Sequence, residues 1–266
     1  MISALSYIGV RSDKTQDWRD FAGKILGMQV LDRGGRNTAF RMDDQAQRLI
    51  VSDEPGDTLA YIGWEVEKKS DLDVLAARLD AVGHDVSLGN KALCDKRLVS
   101  EIIWCVDPAG YRLELVWNPV KVTDPFVPGR PIDGFKTGPY GMGHAVLHVA
   151  DAQSLVPFYC NVLGMILEEF TPSDGGKSRK ALKFGAQKIN LHHLAAPFKP
   201  HAQNPLPGAA DICFLSSLPI KKWQQIFAQN DIIIEEGPIK KTGATGPLMS
   251  LYVRDPDQNL IEISNV

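Results

Sequence analysis

An α+β fold of four βαβββ modules is what this chain predicts, and three observations carry the prediction. One short pattern occurs twice. Val106-Asp107-Pro108 leads through a turn to Leu113-Glu114-Leu115, and Arg254-Asp255-Pro256 leads at the same spacing to Ile261-Glu262-Ile263. A second echo joins Phe21…Leu26-Gly27-Met28 to Phe158…Leu163-Gly164-Met165. Alternating strands and amphipathic helices also follow one order, strand, helix, strands, at intervals of about 50 to 60 residues.

The first module opens on an alternating strand over 4–10, enters a helix over 15–26 and ends on strands near 28–32, 38–42 and 48–51. The second has a strand over 60–66, an amphipathic helix over 70–82 stopped by Gly83, and strands near 99–106 and 112–116. The third starts at 143–149, has a helix near 154–162 behind the capping Asp151, and closes on a strand over 188–194. The fourth starts at 210–215, has a helix near 220–229, and closes on strands over 248–253 and 260–264. Prolines 119, 125, 128 and 131 mark 118–139 as the link between halves, and 197–207 reads as a second proline-rich connector. The expected division is a structural domain over 1–120, a linker over 121–140 and a catalytic domain over 141–266. A sheet curving around each pair of modules would leave a concave floor lined by alternate residues.

Bulk composition excludes several functions. At 266 residues the length suits two domains, and a net charge of −3 without clustered Lys or Arg gives no electrostatic case for nucleic acid. Cys94, Cys105, Cys160 and Cys213 are scattered without a CxxC pair, as in the reduced thiols of a cytosolic (cytoplasmic) protein. The N-terminus turns polar by Arg11, so it does not read as a signal peptide, and no stretch approaches the ~18 apolar residues of a membrane span.

The polar residues of the second half point to a site. Alternation puts His144, Val146 and His148 on one face, but the two histidines stand roughly 13 Å apart along the strand and cannot share a metal. His148 is therefore read as a hydrogen-bonded wall residue. Glu262 lies between Ile261 and Ile263, whose side chains face the other way. A carboxylate in such a cavity requires a charged partner or a metal, unless it reaches solvent. Asp211 opens the fourth module where His144 opens the third; its other reading is an exposed residue capping a turn. Asn190 and His192 share one face of their strand and His193 takes the other, so a histidine enters the cavity either way. His201, in the connector, reads as a surface residue. The front half carries Tyr7, Tyr61 and Glu114 at the matching positions, a poor set for a divalent ion. One site per chain is expected.

These residues resemble those of the type I extradiol ring-cleavage dioxygenases of the vicinal-oxygen-chelate (glyoxalase) superfamily, of the 2,3-dihydroxybiphenyl 1,2-dioxygenase kind. The resemblance spans essentially the whole chain. It rests on Leu5-Ser6-Tyr7-Ile8-Gly9, on Tyr61-Ile62-Gly63-Trp64-Glu65-Val66, on Phe126-Val-Pro-Gly-Arg, on Gly141-Met-Gly-His144, on His192-His193, and on Met249-Ser-Leu-Tyr252 with Glu262 beyond. It implies two vicinal-oxygen-chelate domains, each a curved mixed sheet around a cavity. It also implies a divalent metal, Fe²⁺ with Mn²⁺ as the other choice, held by His144, Asp211 and Glu262. One histidine of the His192/His193 pair, taken as His192, becomes an acid–base group and Tyr252 a hydrogen bond to a substrate oxygen. The implied reaction inserts both atoms of O₂ into a catechol-type aromatic diol with ring cleavage, in a self-assembling protein. Two departures stand out. Asp211 occupies the place of the second ligand histidine, and 241–246 lacks a further active-site histidine. A ligand set with two carboxylates cancels the charge of a divalent ion and favours harder ions. The alternative is therefore a non-redox metal-dependent lyase, isomerase or hydrolase on the same scaffold, and behind it a metal-free binding protein.

Overall fold

The computed structural model describes residues 1–34, 37–55, 59–170, 179–193, 201 and 211–265. The first module comprises β1 (Ile2–Arg11), helix α1 (Thr15–Trp18) continued by π-helical turns over Arg19–Ile25, β2 (Gln29–Asp32), β3 (Asn37–Arg41) and β4 (Leu49–Ser52). The second comprises β5 (Leu59–Val66), α2 (Lys69–Ala81), β6 (Ser87–Leu88), α3 (Lys91–Arg97), β7 (Val99–Val106) and β8 (Arg112–Pro119). The third comprises β9 (His144–Val149), α4 (Ala152–Val156) with π-helical turns over Pro157–Val162, β10 (Ile166–Phe170), β11 (Arg179–Phe184) and β12 (Gln187–His193). The fourth comprises β13 (Asp211–Ser216), α5 (Ile220–Gln229), β14 (Ile234–Thr242), β15 (Pro247–Arg254) and β16 (Leu260–Asn265).

Two eight-stranded mixed sheets result, ordered β2-β3-β4-β1-β5-β8-β7-β6 and β10-β11-β12-β9-β13-β16-β15-β14. The orders are superimposable, so the sequence echoes correspond to a duplicated fold. In each sheet the opening strands of the two modules pair antiparallel at the centre, and each pairs parallel with the last strand of its own module.

Alternation settles what each face does. On β9, Ala145, Leu147 and Val149 turn to the convex side, as do Ile212 and Phe214 on β13 and Ile261 and Ile263 on β16. All belong to one hydrophobic core that continues through Leu5, Ile8, Trp64 and Leu113 of the front half. The halves also grip each other's Asp-Pro turns. Tyr159 donates to Asp107 Oδ2 at 2.6 Å, and Trp18 Nε1 donates to Asp257 Oδ2 at 2.7 Å. Both turns are built alike: Asp107 Oδ1 accepts the amides of Ala109 and Tyr111, and Asp255 Oδ1 those of Asp257 and Asn259.

The structure adds elements that periodicity did not show. Strands β10 and β14 are sheet edges carrying Glu168 and Glu169 or Glu235, Glu236, Lys240 and Lys241. Charge is how an edge avoids pairing with other chains, and it conceals the apolar alternation. Helix α3 has seven residues, capped by Asn90 through Leu93 N, too short to show a periodic face. The 197–207 connector lies outside the described residues apart from His201, which is half-buried rather than on the surface, its carbonyl accepting from Arg254. Residues 194 and 210, expected as strand ends, lie outside them too.

Candidate active site

The concave face of the second sheet gathers the polar residues. Register places Cys213 opposite both His144 and Glu262, and Asp211 opposite Val146. On the other flank, Asn190 sits beside Val146 and His192 beside His148. Tyr252 and Ser250 stand opposite Glu262 and Ser264. Five strands therefore contribute to one floor.

His144 Nε2 and Glu262 Oε2 face each other at 3.5 Å. Ser264 Oγ donates to Glu262 Oε1 at 2.8 Å and lies 2.8 Å from Ser250 Oγ, while Tyr252 hydrogen-bonds the same carboxylate. Burial alone would push the Glu262 carboxyl up. Its bonds to His144, Ser250 and Ser264 overcome that and hold it down to about 2. Glu262 is thus an ionised carboxylate on a floor of polar side chains. Burial and the charge of Glu262 raise the Tyr252 hydroxyl above its ordinary range, so it stays a donor. The same two causes raise the Cys213 thiol, which remains protonated beside Ser264.

Asp211 is placed differently from the expectation that it joins His144 and Glu262. Its Oδ2 lies 2.8 Å from His148 Nε2. Two clusters of donor atoms result: His144 with Cys213 and Glu262, and His148 with His192 and Asp211. The reason lies in the register. Opposite Val146, Asp211 is midway between the imidazoles two residues to either side, and it bonds the buried one. His148 is the hydrogen-bonded wall residue that the strand spacing predicted. His192 enters the cavity and His193 is exposed. Burial, with the charges of His148 and Arg179 adding, lowers His192 to about 3, so its imidazole is neutral.

Sequence reading missed Cys213, Ser250 and Ser264, and it missed Lys188 two positions before Asn190. All four share the inward face at the two-residue period, a signal that was present and went unused. In the front half, Glu114 accepts from Tyr7 at 2.8 Å, from Arg97 at 2.7 and 3.0 Å and from Arg112 at 3.0 Å. Arg97 also stacks on Tyr61, 3.5 Å from the ring centroid. Where the second half has a histidine facing a carboxylate, the first has a satisfied salt-bridge network.

Comparison with known proteins identifies the family. The family model described as Glyoxalase/Bleomycin resistance protein/Dioxygenase superfamily matches residues 141–263, and that for Dihydroxybiphenyl dioxygenase BphC D1 matches 5–56. Virulence protein STM3117 of Salmonella typhimurium is 50% identical over 121 residues, 46% of this chain and 81% of that protein. A 1,2-dihydroxynaphthalene dioxygenase of Pseudomonas putida is 34% identical over 158 residues, 58% of this chain and 52% of that enzyme, about half its length. The crystal structure of BphC, a halotolerant catechol dioxygenase, superimposes with a TM-score of 0.83 at 25% identity, covering 100% of this chain and 87% of that one. The chain belongs to the glyoxalase/bleomycin resistance/dioxygenase superfamily, with the paired-sheet build of the type I extradiol dioxygenases. It is an enzyme of that superfamily.

Proposed function

We propose that the protein is an extradiol-type dioxygenase that cleaves a catechol-type aromatic diol with O₂, using one divalent metal in residues 141–266. Residues 1–120 serve as the structural domain and 121–140 as the linker. The observation that carries the reading is the His144–Glu262 pair, 3.5 Å apart and backed by Tyr252, on the floor of the second sheet.

The donors fit a cation. An imidazole nitrogen and an ionised carboxylate already face each other, and a second carboxylate, Asp211, shares the same face. This nitrogen–oxygen set suits Fe²⁺ or Mn²⁺. Asp211 would join by turning from His148. A bound metal would supply a template that orients the diol beside O₂ and lowers the pKa of its hydroxyl. The chain's own residues handle the protons. His192, whose neutral imidazole faces the cavity, can accept the hydroxyl proton there and return it. Tyr252, which keeps its own proton, donates a hydrogen bond to the substrate oxygen.

Asp211 in place of a neutral imidazole favours a second reading, a non-redox metal-dependent lyase, isomerase or hydrolase. Oxygen uptake separates the two. Anaerobically prepared, metal-loaded protein should consume O₂ stoichiometrically with a catechol from a panel of substituted diols. Turnover of a diol without O₂ consumption would favour the second reading. Self-association in the cytoplasm completes the proposal, supported by the family resemblance; among the described residues no helix is long and apolar enough to cross a membrane.

A further inference from the structure

Lys188 is the charged group that the proposed chemistry leaves without a task. It lies on β12, on the same inward face as Asn190 and His192, and is 2% exposed. Its Nζ has no hydrogen-bond partner among the described residues and stands 4.4 Å from the centroid of the Phe170 ring. A buried ammonium without an acceptor is costly, and proteins keep such groups where a ligand supplies the missing charge.

The surroundings say what that ligand brings. Lys188 and His144 line one cleft of about 20 Å³, closed by Leu215, Leu248 and the loop 243–245. That space admits a group about the size of one water molecule. The loop belongs to 241–246, the stretch that lacks the histidine the family resemblance places there. Lys188 puts a cation across the cleft from it. The charge balance points the same way. Asp211, standing where a neutral imidazole is expected, adds a negative charge to the cavity, and Lys188 returns a positive one.

We propose that Lys188 is an anion-recognising residue, whose ammonium receives an ionised oxygen of the ligand in the cleft beside His144. The oxygen belongs either to a deprotonated hydroxyl of the diol or to a carboxylate on the ring. This deepens the function proposed above, and it rests on that reading only where the ionised oxygen is the diol's.

Equilibrium titration calorimetry on anaerobic, metal-loaded protein tests it. The probes are catechol, benzoate and 2,3-dihydroxybenzoate, with 1,2-dimethoxybenzene as the neutral comparator. Lys188→Met should weaken binding of the ionised ligands by about tenfold or more and leave the neutral one unchanged. Loss confined to catechol assigns the oxygen to the diol, and loss extending to benzoate assigns it to a carboxylate. The melting temperature of ligand-free Lys188→Met should hold or rise, because a buried cation without an acceptor among the described residues has been removed. Equal affinities in both proteins, no binding of any ionised probe to the unaltered protein, or a lowered melting temperature would each overturn the proposal. Lys188-dependent benzoate binding in a protein that consumes no O₂ with any catechol would retain Lys188's role and remove the dioxygenase reading.

Discussion

At the scale of the residue, one carboxylate and its neighbours set the charge of the second sheet's floor. Glu262 is ionised because donors from three strands offset its burial, and His144 is the donor that could share a cation with it. Tyr252→Phe removes a donor without removing a ligand. It should lower kcat for diol cleavage by roughly 10- to 100-fold while metal content stays unchanged, measured by oxygen uptake and elemental analysis. Asp211→His replaces a carboxylate by the imidazole that the resemblance places there. It should raise catechol cleavage if Asp211 joins the metal; an unchanged, measurable rate would mean that Asp211 remains with His148. His144, Glu262 and Asp211 were legible because each is a polar residue at a repeated structural position. The choice of Asp211 between two imidazoles was not, because it depends on a register between β9 and β13 that spacing along one strand cannot reveal.

At the scale of the element, the two Asp-Pro turns differ in one partner. Asp107 Oδ2 accepts the Tyr159 hydroxyl, whereas Asp255 Oδ2 has no hydrogen-bond partner among the described residues. Burial accordingly pushes Asp255 up to about 7. A carboxyl whose pKa is higher folded than unfolded contributes stability below about pH 4, and that contribution is lost as pH rises through 7. Asp255→Asn keeps the acceptor for Asp257 and Asn259 and removes the ionisation. Its unfolding free energy relative to the unaltered protein, from denaturant titrations, should therefore improve between pH 5 and pH 8 by an amount on the order of a few kcal/mol. A difference independent of pH would refute the assignment. The long central strands and the four main helices were legible because one buried face imposes a clear period. The edge strands β10 and β14 were not, because charges on their exposed positions mask it.

At the scale of the whole molecule, a duplicated fold sets a histidine facing a carboxylate on one sheet and a salt-bridge network at the matching place on the other. The front cavity is lined by Arg97 and Arg112, both bonded to buried Glu114, and the hydrophobic core of the front half is continuous with that of the second half. Arg97→Met leaves the buried carboxylate of Glu114 with Arg112 and Tyr7 and should cost about 1.5–3 kcal/mol, with the double change Arg97→Met/Glu114→Gln recovering most of it. Since the two halves share one core, scanning calorimetry should show a single transition that moves as a whole; a second, unshifted transition would mean the halves unfold separately. Metal content tests the central claim most directly. Protein purified without oxygen and analysed for elements should carry a stoichiometric divalent ion, absent from both His144→Ala and Glu262→Ala. Full retention of the ion in either variant would contradict a metal centre on this floor.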